Sequence, residues 1–439
     1  MGSRLHSHLR CGAVADCPRR RREARHICAP SVSQIGVELD SKRYEAGIAS
    51  LGDACCGCGA CATRCPKGCI AMEPDTCGFP RPVIDADTCV GCGACDAVCP
   101  VLDPPAGDSA ESALWAKADD ADLLGRSSSG GVFGLLALDA LSRGGVVAGA
   151  AWADGCRELR HVVVEREDDL DSIMRSKYVQ SSVGREVYEG IRDALRGGRL
   201  ALFCGTACQV AGMRSYLGKL ADSELFLGVD VICHGVPSPE LWRRWLGYME
   251  EREGGEVHGV NFRSKTTGWL SYSVMYEYMT EKDGAARSSS TRFSDDWYMR
   301  AFLKNASLRG SCPSCPFKRR CGSDITLGDF WGIQKQHPEV SIDGGVSAVL
   351  GNTQKGVDAL SRISGSMAVG DSSHEKVVPG NPALVRPVQP FVERGEFLSA
   401  LATGASIPEM MRRWDFEPTR KQKIISGAKA VVKRLIGRR

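Results

Sequence analysis

No stretch of this sequence is both long and apolar enough to cross a bilayer. The richest candidate, "GGVFGLLALDALSRGGVVAGAAW", is broken by Asp139 and Arg143 well short of the ~20 residues a span needs. A secretory leader is missing too. The opening "MGSRLHSHLRCGAVADCPRRRREARHIC" carries a basic run from Arg19 to Arg22 with no apolar segment behind it, so a flexible tail is expected over residues 1–45. Net charge is nearly absent, at +3 from 56 Lys and Arg against 53 Asp and Glu. Such a balance offers no general attraction to nucleic acid, and no nucleic-acid partner is expected. The arithmetic of a disulfide scaffold is also lacking, because 21 cysteines is an odd number and they are clustered. Clustered thiols without a leader point to metal in a reducing cytoplasm.

What the chain has in abundance is cysteine at metal-binding spacing. "CCGCGACATRCPKGC" contains C-x2-C-x2-C-x3-C-P as Cys55, Cys58, Cys61, Cys65 and Pro66, and "CVGCGACDAVCP" repeats it as Cys89, Cys92, Cys95, Cys99 and Pro100. Each tight loop lets three thiolates converge on one cube of iron and sulfide, and the fourth ligand comes from the other run. Cys55, Cys58 and Cys61 with Cys99 are therefore expected to hold one 4Fe-4S cluster, and Cys89, Cys92 and Cys95 with Cys65 the second. Structural zinc sites use two separated pairs instead of one four-cysteine run. The pattern resembles the bacterial two-cluster ferredoxins over about sixty residues. Cys56, Cys69 and Cys77 exceed the ligand count and are read as packing residues, Cys156 as a core thiol, and Cys11, Cys17 and Cys28 as bystanders.

The organisation follows from composition and period. Residues 46–104 form the cysteine module, and the Pro/Gly/Asp-rich "PVLDPPAGDSAES" opens a linker over 105–125. Beyond it, strands alternate with helices: "RLALFCG" precedes helical "TACQVAGMRSYLG", and "LFLGVDVICHG" precedes "VPSPELWRRWLGYMEE", with Ser238 as cap and Pro239 opening the helix. The expected fold is an α+β ferredoxin-like domain with two 4Fe-4S clusters, followed by an α/β mixed-sheet domain over 126–360. An extension over 361–439 ends in "KQKIISGAKAVVKRLIGRR", where Ile424, Ile425, Ala428, Val432, Leu435 and Ile436 recur at helical spacing. Lys429, Lys433 and Arg434 occupy other faces. Such a helix suits peripheral contact with the inner face of the cell membrane, or docking on its own domain or a partner.

Seven further motifs carry a family resemblance. "SSSGGVFGLLA", "SKYVQS", "GTACQVAGMRSYL", "VDVICHGVPSP", "FRSKTTGW" and "CPSCPFK" with "DITLGDFWG" together resemble the beta subunit family of coenzyme F(420) hydrogenases and dehydrogenases, from about Ser112 to about Gly351. The resemblance implies a flavin, FAD, and a third 4Fe-4S cluster. Carried over residue by residue, the third set of ligands falls on Cys208, Cys233, Cys312 and Cys315, with Cys204 and Cys321 as alternatives. FAD contacts are implied at Ser129, Gly130, Gly131, Lys177, Gly205 and Thr206. The small hydroxyl residues and glycines before an apolar helix suit a diphosphate, and they are also a common way to begin a helix. Ala207 stands where the family usually has proline. His234 is a candidate proton donor or a structural histidine beside a metal site, and Trp331 a shield for the cofactor or a core residue.

The expected protein is a cytoplasmic iron–sulfur flavoprotein oxidoreductase. Electrons would pass between ferredoxin-type clusters and FAD, and a hydride to or from a coenzyme F(420)-like or other organic small molecule. The forms "FRSKTTGW" and "GDFWG" are similar to those of bacterial members encoded with polysaccharide-assembly enzymes. A redox partner protein or ferredoxin is implied. The alternative is a non-catalytic electron-transfer subunit feeding a separate partner enzyme.

Overall fold

Glycine sets the shape of the first cysteine run. Gly57 and Gly59 hold φ of +71° and +84°, a region closed to most side chains, and Gly91 and Gly93 repeat it at +67° and +72° in the second run. The loops coil, and a short helix follows each, Ala60–Arg64 and Ala94–Ala97. Between the runs, β1 (Ile70–Pro74) and β2 (Pro80–Ile84) pair antiparallel. The hairpin tip is tightened by Asp75, whose Oδ1 accepts from the N–H groups of Cys77 and Phe79 at 2.9 and 3.0 Å. The computed structural model describes residues 47–107 and 112–417, all in one compact unit.

The next strands are β3 (Ser112–Ala118), β4 (Val146–Ala153), β5 (Glu158–Val164), β6 (Ala201–Thr206) and β7 (Phe226–Val231). After them come β8 (Gly255–Ser264), β9 (Ser273–Thr280), β10 (Ala286–Arg292), β11 (Ile325–Asp329), β12 (Ser347–Gly351) and β13 (Met367–Asp371). Eight build one mixed sheet in the order β13-β3-β12-β11-β7-β6-β4-β5, and β10-β9-β8 form a second, antiparallel sheet. The neighbours β4, β6, β7 and β11 run parallel. The apolar run of β7 is buried at five of six positions, as a strand covered on both faces requires. β6, β7 and β11 end together, and the cysteines that follow β6 and β7 emerge at that edge.

Two boundaries differ from the sequence reading. The stretch 105–125 is not a free linker: it contains β3, which lies between β12 and β13, and the helix Ala121–Arg126. Its turn-forming composition stops just before "SALWAKA", which is strand. The extension is likewise integrated over its described part. β13 closes one edge of the large sheet, and the helices Arg394–Ala402 and Ile407–Arg413 bury Phe397, Leu401 and Met410 against Trp242, Trp245 and Trp297. The tail and the basic C-terminal helix lie outside the described residues. Among the described residues, no helix is long and apolar enough to cross a membrane.

The cysteine module is pinned to the α/β layer through its own carbonyls. Cys55 O accepts from Arg309 Nε at 2.7 Å, Cys56 O from Gln180 Nε2 at 3.2 Å, and Cys58 O from Tyr188 Oη at 2.8 Å. The Ser238 hydroxyl, which caps the helix Pro239–Glu253, donates to Cys77 O at 2.6 Å. On the helix Ala207–Leu217, a Cβ at Gly212 would stand 2.9 Å from Cys58 Sγ. Such close approach fixes the spacing between the first cysteine loop and everything behind it.

One glycine carries a prediction here. A Cβ on Gly130 would stand 2.2 Å from Ala116 O and 2.7 Å from Ser347 N, both backbone atoms of strands. Gly130→Ala should therefore push the Ser127–Gly131 loop off β3 and β12, at a cost of about 1–3 kcal/mol. Thermal unfolding of the variant checks this, and an unchanged midpoint would mean that the loop gives way freely.

Candidate redox centre

The first cage is a cavity lined by Cys55, Cys58, Cys61 and Cys99, with Ile48, Leu51 and Met72 closing it. All four thiols are buried. The second is lined by Cys65, Cys89, Cys92 and Cys95, and it faces solvent, with Cys92 exposed and Val90 61% exposed. Each quartet that the spacing predicts shares one cavity, with the fourth cysteine supplied by the other run. Among the described residues, no three His, Cys, Asp or Glu side chains converge tightly enough for a single metal ion. A cube of four irons and four sulfides needs a wider ring of thiols than one tetrahedral ion with ~2.3 Å metal–sulfur bonds. Soft thiolates are the donors such a cluster takes.

The third set of thiols stands where β6 and β7 end. Cys208 lies in the first turn after β6, Cys233 just past β7, and Cys312 and Cys315 flank a single 3-10 turn. Their charges bear on one another: Cys208 and Cys315 act on Cys233, Cys233 and Cys208 on Cys312, and Cys208 and Cys312 on Cys315. Burial pushes Cys233 and Cys312 up to about 12 and Cys315 up to about 11. Cys208 is instead held down to about 6, chiefly by a hydrogen bond from the Cys56 thiol. Cys204 and Cys321 are the two alternatives. Cys204 lines the neighbouring cavity, and Cys321 is buried in the core.

Two thiols read as packing residues have more specific places. Cys56 hydrogen-bonds both Cys208 and Cys58, so it stands between the first cage and the third set. Cys69 lies with its sulfur 3.3 Å from Cys65 Sγ and lines the second cage. Counting ligands could not show this, because both contacts depend on how the loops coil. Cys77 and Cys156 are buried in the aromatic core.

A cavity of about 410 Å³ opens over the carboxyl ends of the parallel strands. Ligands of α/β sheets bind at that edge, and the volume is ordinary for an organic ligand. Of the residues singled out for FAD, Ser129, Gly131, Lys177, Gly205 and Thr206 line it, as do Cys233 and His234. Gly130 does not. Its N–H is taken by Ser347 Oγ at 3.0 Å, and it serves the close approach of two strands. Gly131, at φ +86°, precedes the helix Val132–Ser142, whose first three residues line the cavity and whose first-turn N–H groups lack intrahelical acceptors. That end suits an anion. Lys177 Nζ donates to Met174 O at 2.7 Å, and burial, with Arg175 adding repulsion, brings its pKa down to about 7. A negative occupant would restore the charge. Thr206 caps the helix Ala207–Leu217 through a capping box with Gln209. Alanine at the next position, where proline is favoured, leaves that cap intact.

His234 is held by Asn305. The Asn305 Nδ2 donates to Gln389 O at 2.7 Å, so its Oδ1 accepts from His234 Nε2 at 2.6 Å, and Nδ1 keeps the lone pair of the neutral ring. Burial holds the His234 pKa below the usual range.

Arg263 and His161, which line the cavity, and Lys265 beside it carried no sequence assignment. Arg263 lies with its guanidinium 4.1 Å from the Tyr272 ring centre and 5.0 Å from that of Trp331, and it meets Asp329 through two bonds of 2.6 and 2.9 Å. Lys265 donates to the carbonyls of Leu124 and Ser129, the latter at 3.0 Å. "FRSKTTGW" and "GDFWG" are thus the two halves of one clamp on the serine–glycine loop. Trp331 stacks on Trp269 at 5.0 Å and lines the cavity, as a shielding residue would. On β5, His161 Nε2 contacts Cys204 O at 3.0 Å, while Nδ1 has no partner among the described residues. Burial brings its pKa down to about 4, so the ring is neutral and Nδ1 offers an acceptor to a ligand N–H or O–H.

Two cysteine cages of ferredoxin type on an α/β mixed-sheet layer define an iron–sulfur electron-transfer protein of the oxidoreductase class. Residues 198–372 match the family described as the C terminus of the coenzyme F(420) hydrogenase/dehydrogenase beta subunit, and residues 54–102 and 81–133 match 4Fe-4S dicluster domains. The chain thus combines a 4Fe-4S dicluster domain with a domain of that beta-subunit family, as its motifs indicated. No curated protein matches the sequence. Among solved structures, a chain of the F(420)-reducing NiFe hydrogenase complex from Methanosarcina barkeri, studied as a xenon derivative, is 19% identical. The likeness covers 71% of this chain and 94% of that one at a TM-score of 0.40, too loose to bear on function.

Proposed function

We propose that the chain relays single electrons through three 4Fe-4S clusters to FAD held in the large cavity, where a hydride is exchanged with an organic substrate. The observation that carries this reading is the cavity's position: Cys233 and His234 line one part of it, and the serine–glycine loop and helix start another. Bound FAD supplies the conversion between one-electron and two-electron chemistry. The residues of the chain do the rest. The helix start and Lys177 hold the diphosphate, Arg263 and Lys265 fix the loop that presents it, and Trp331 and Tyr272 keep water from one wall. His234 is positioned to hand on a proton from Nδ1 only after protonation, since Nε2–H is committed to Asn305.

Electrons enter at the second cage, the one with an exposed cysteine, from a ferredoxin or another redox protein. The substrate is a coenzyme F(420)-like molecule or another organic compound, and the motif forms favour a role beside polysaccharide assembly in the cytoplasm. The name of the matched family, a beta subunit, supports a protein partner. Peripheral membrane contact through the basic C-terminal helix belongs to the same proposal. Anaerobic purification followed by iron, sulfide and flavin analysis tests it, with about twelve irons and one FAD per chain expected. Eight irons and no flavin would leave only a two-cluster carrier. A loaded protein that reduces no acceptor until a partner enzyme is added would favour the reading as a non-catalytic electron-transfer subunit.

A further inference from the structure

Among the described residues, Arg309 is a buried cation without a carboxylate partner. Its side chain is among the largest wholly buried ones, at 1% exposure. Nε donates to Cys55 O at 2.7 Å, Nη1 to Gln180 Oε1 at 3.0 Å and Nη2 to Pro80 O at 2.9 Å, so every hydrogen bond it makes among the described residues ends on a neutral acceptor. The other deeply buried guanidinium, Arg263, has Asp329 as counter-ion. Holding a full charge in the interior is costly unless opposite charge lies close by. The groups able to supply it are thiolates. Arg309 is tied to both sets: its Nε meets the carbonyl of Cys55 in the first cage, its own carbonyl accepts from the N–H of Cys312 in the third set at 3.1 Å, and its N–H donates to Val236 O, three residues past Cys233, at 2.9 Å. It therefore occupies the seam between them.

A 4Fe-4S cube with four thiolates carries a net charge of about −2, and about −3 once it has taken up one electron. A fixed positive charge in a dry interior stabilises the more negative state, which raises the reduction potential. We infer that Arg309 is the shared counter-charge of the first and third clusters, a redox-positioning residue that raises both potentials and eases the electron's passage between them. The second cluster, away from this seam, is not affected. The inference rests on the third set of cysteines holding a cluster.

The test is an anaerobic redox titration of the full chain, followed by electron paramagnetic resonance, in wild type, Arg309→Lys and Arg309→Gln. Lysine keeps the charge and loses the fork. Glutamine keeps a donor for Cys55 O and loses the charge. The expected result is that Arg309→Gln lowers the potentials of the first and third clusters by at least about tenfold in the electron equilibrium, ~59 mV for one electron, while Arg309→Lys stays near wild type and the second cluster does not move. Clusters missing from Arg309→Gln but present in Arg309→Lys would also support the counter-charge. Unmoved potentials in Arg309→Gln, equal shifts in both variants, or cluster loss in both would overturn it, the last by showing that geometry and not charge is needed. A wild type holding only two clusters would instead defeat the reading on which it rests.

Discussion

Cys312→Ser is expected to cut the cavity off from the ferredoxin-type clusters while leaving those clusters intact. Cys312 sits where the N–H of Val236, three residues past Cys233, points at its sulfur from 3.4 Å. A serine oxygen is a harder donor and gives up its proton far less readily than a thiol, so the third site should bind its cluster weakly or lose it. The eight cysteines of the two C-x2-C-x2-C-x3-C runs line two other cavities and keep their geometry. Stopped-flow flavin absorbance with reduced ferredoxin as donor should show the rate falling by at least about tenfold, one 1.4 kcal/mol step in the barrier. Reduction by a two-electron donor acting directly on the flavin should survive. Equal rates from reduced ferredoxin in variant and wild type would mean that the third site is off the path or has other ligands.

The other large effect belongs to Asp329. Its carboxylate takes both bonds from Arg263 and a third, at 2.7 Å, from Trp269 Nε1, and the two charged side chains are 1% and 14% exposed. Asp329→Ala leaves a guanidinium buried and unpaired, which costs about 3–5 kcal/mol. Replacing both partners, Arg263→Met with Asp329→Leu, should recover much of that loss, because no charge is then stranded. Thermal unfolding at one fixed scan rate under nitrogen compares the three proteins, since unfolding of a cluster-bearing chain is not reversible. Flavin retention should fall in Asp329→Ala as well, because Arg263 and Lys265 hold the Ser128–Ser129 backbone. A midpoint within about a degree of wild type would show that the pair is screened by water entering the cavity.

How legible each part is depends on the distance over which its information is spread. The two cages can be read because a C-x2-C-x2-C run is local: three ligands fall within seven residues, and glycines at fixed places let the chain coil. The third set cannot be derived from spacing, since Cys208, Cys233 and Cys312 are brought together only by the end of the parallel sheet. It rests on motif resemblance. β3 reads as linker because turn residues precede it and its seven positions carry no clean alternation, being half-buried at five of them. His161 leaves no trace in the sequence at all, for nothing on a β-strand distinguishes a histidine beneath a cavity from one in a packed core.

The sequence alone carried the 4Fe-4S character of the N-terminal module, the number of cysteines available to it and the α/β class of the second half, because thiolate spacing and the alternation of strand and helix are properties of neighbouring residues. Tertiary structure alone decided which charges face which. The Arg263–Asp329 pair joins positions 66 residues apart, and Arg309 meets Cys55 across 254. An ion pair or an unpaired cation is defined by burial and by what else lies within a few ångströms, and neither quantity exists until the chain has closed on itself.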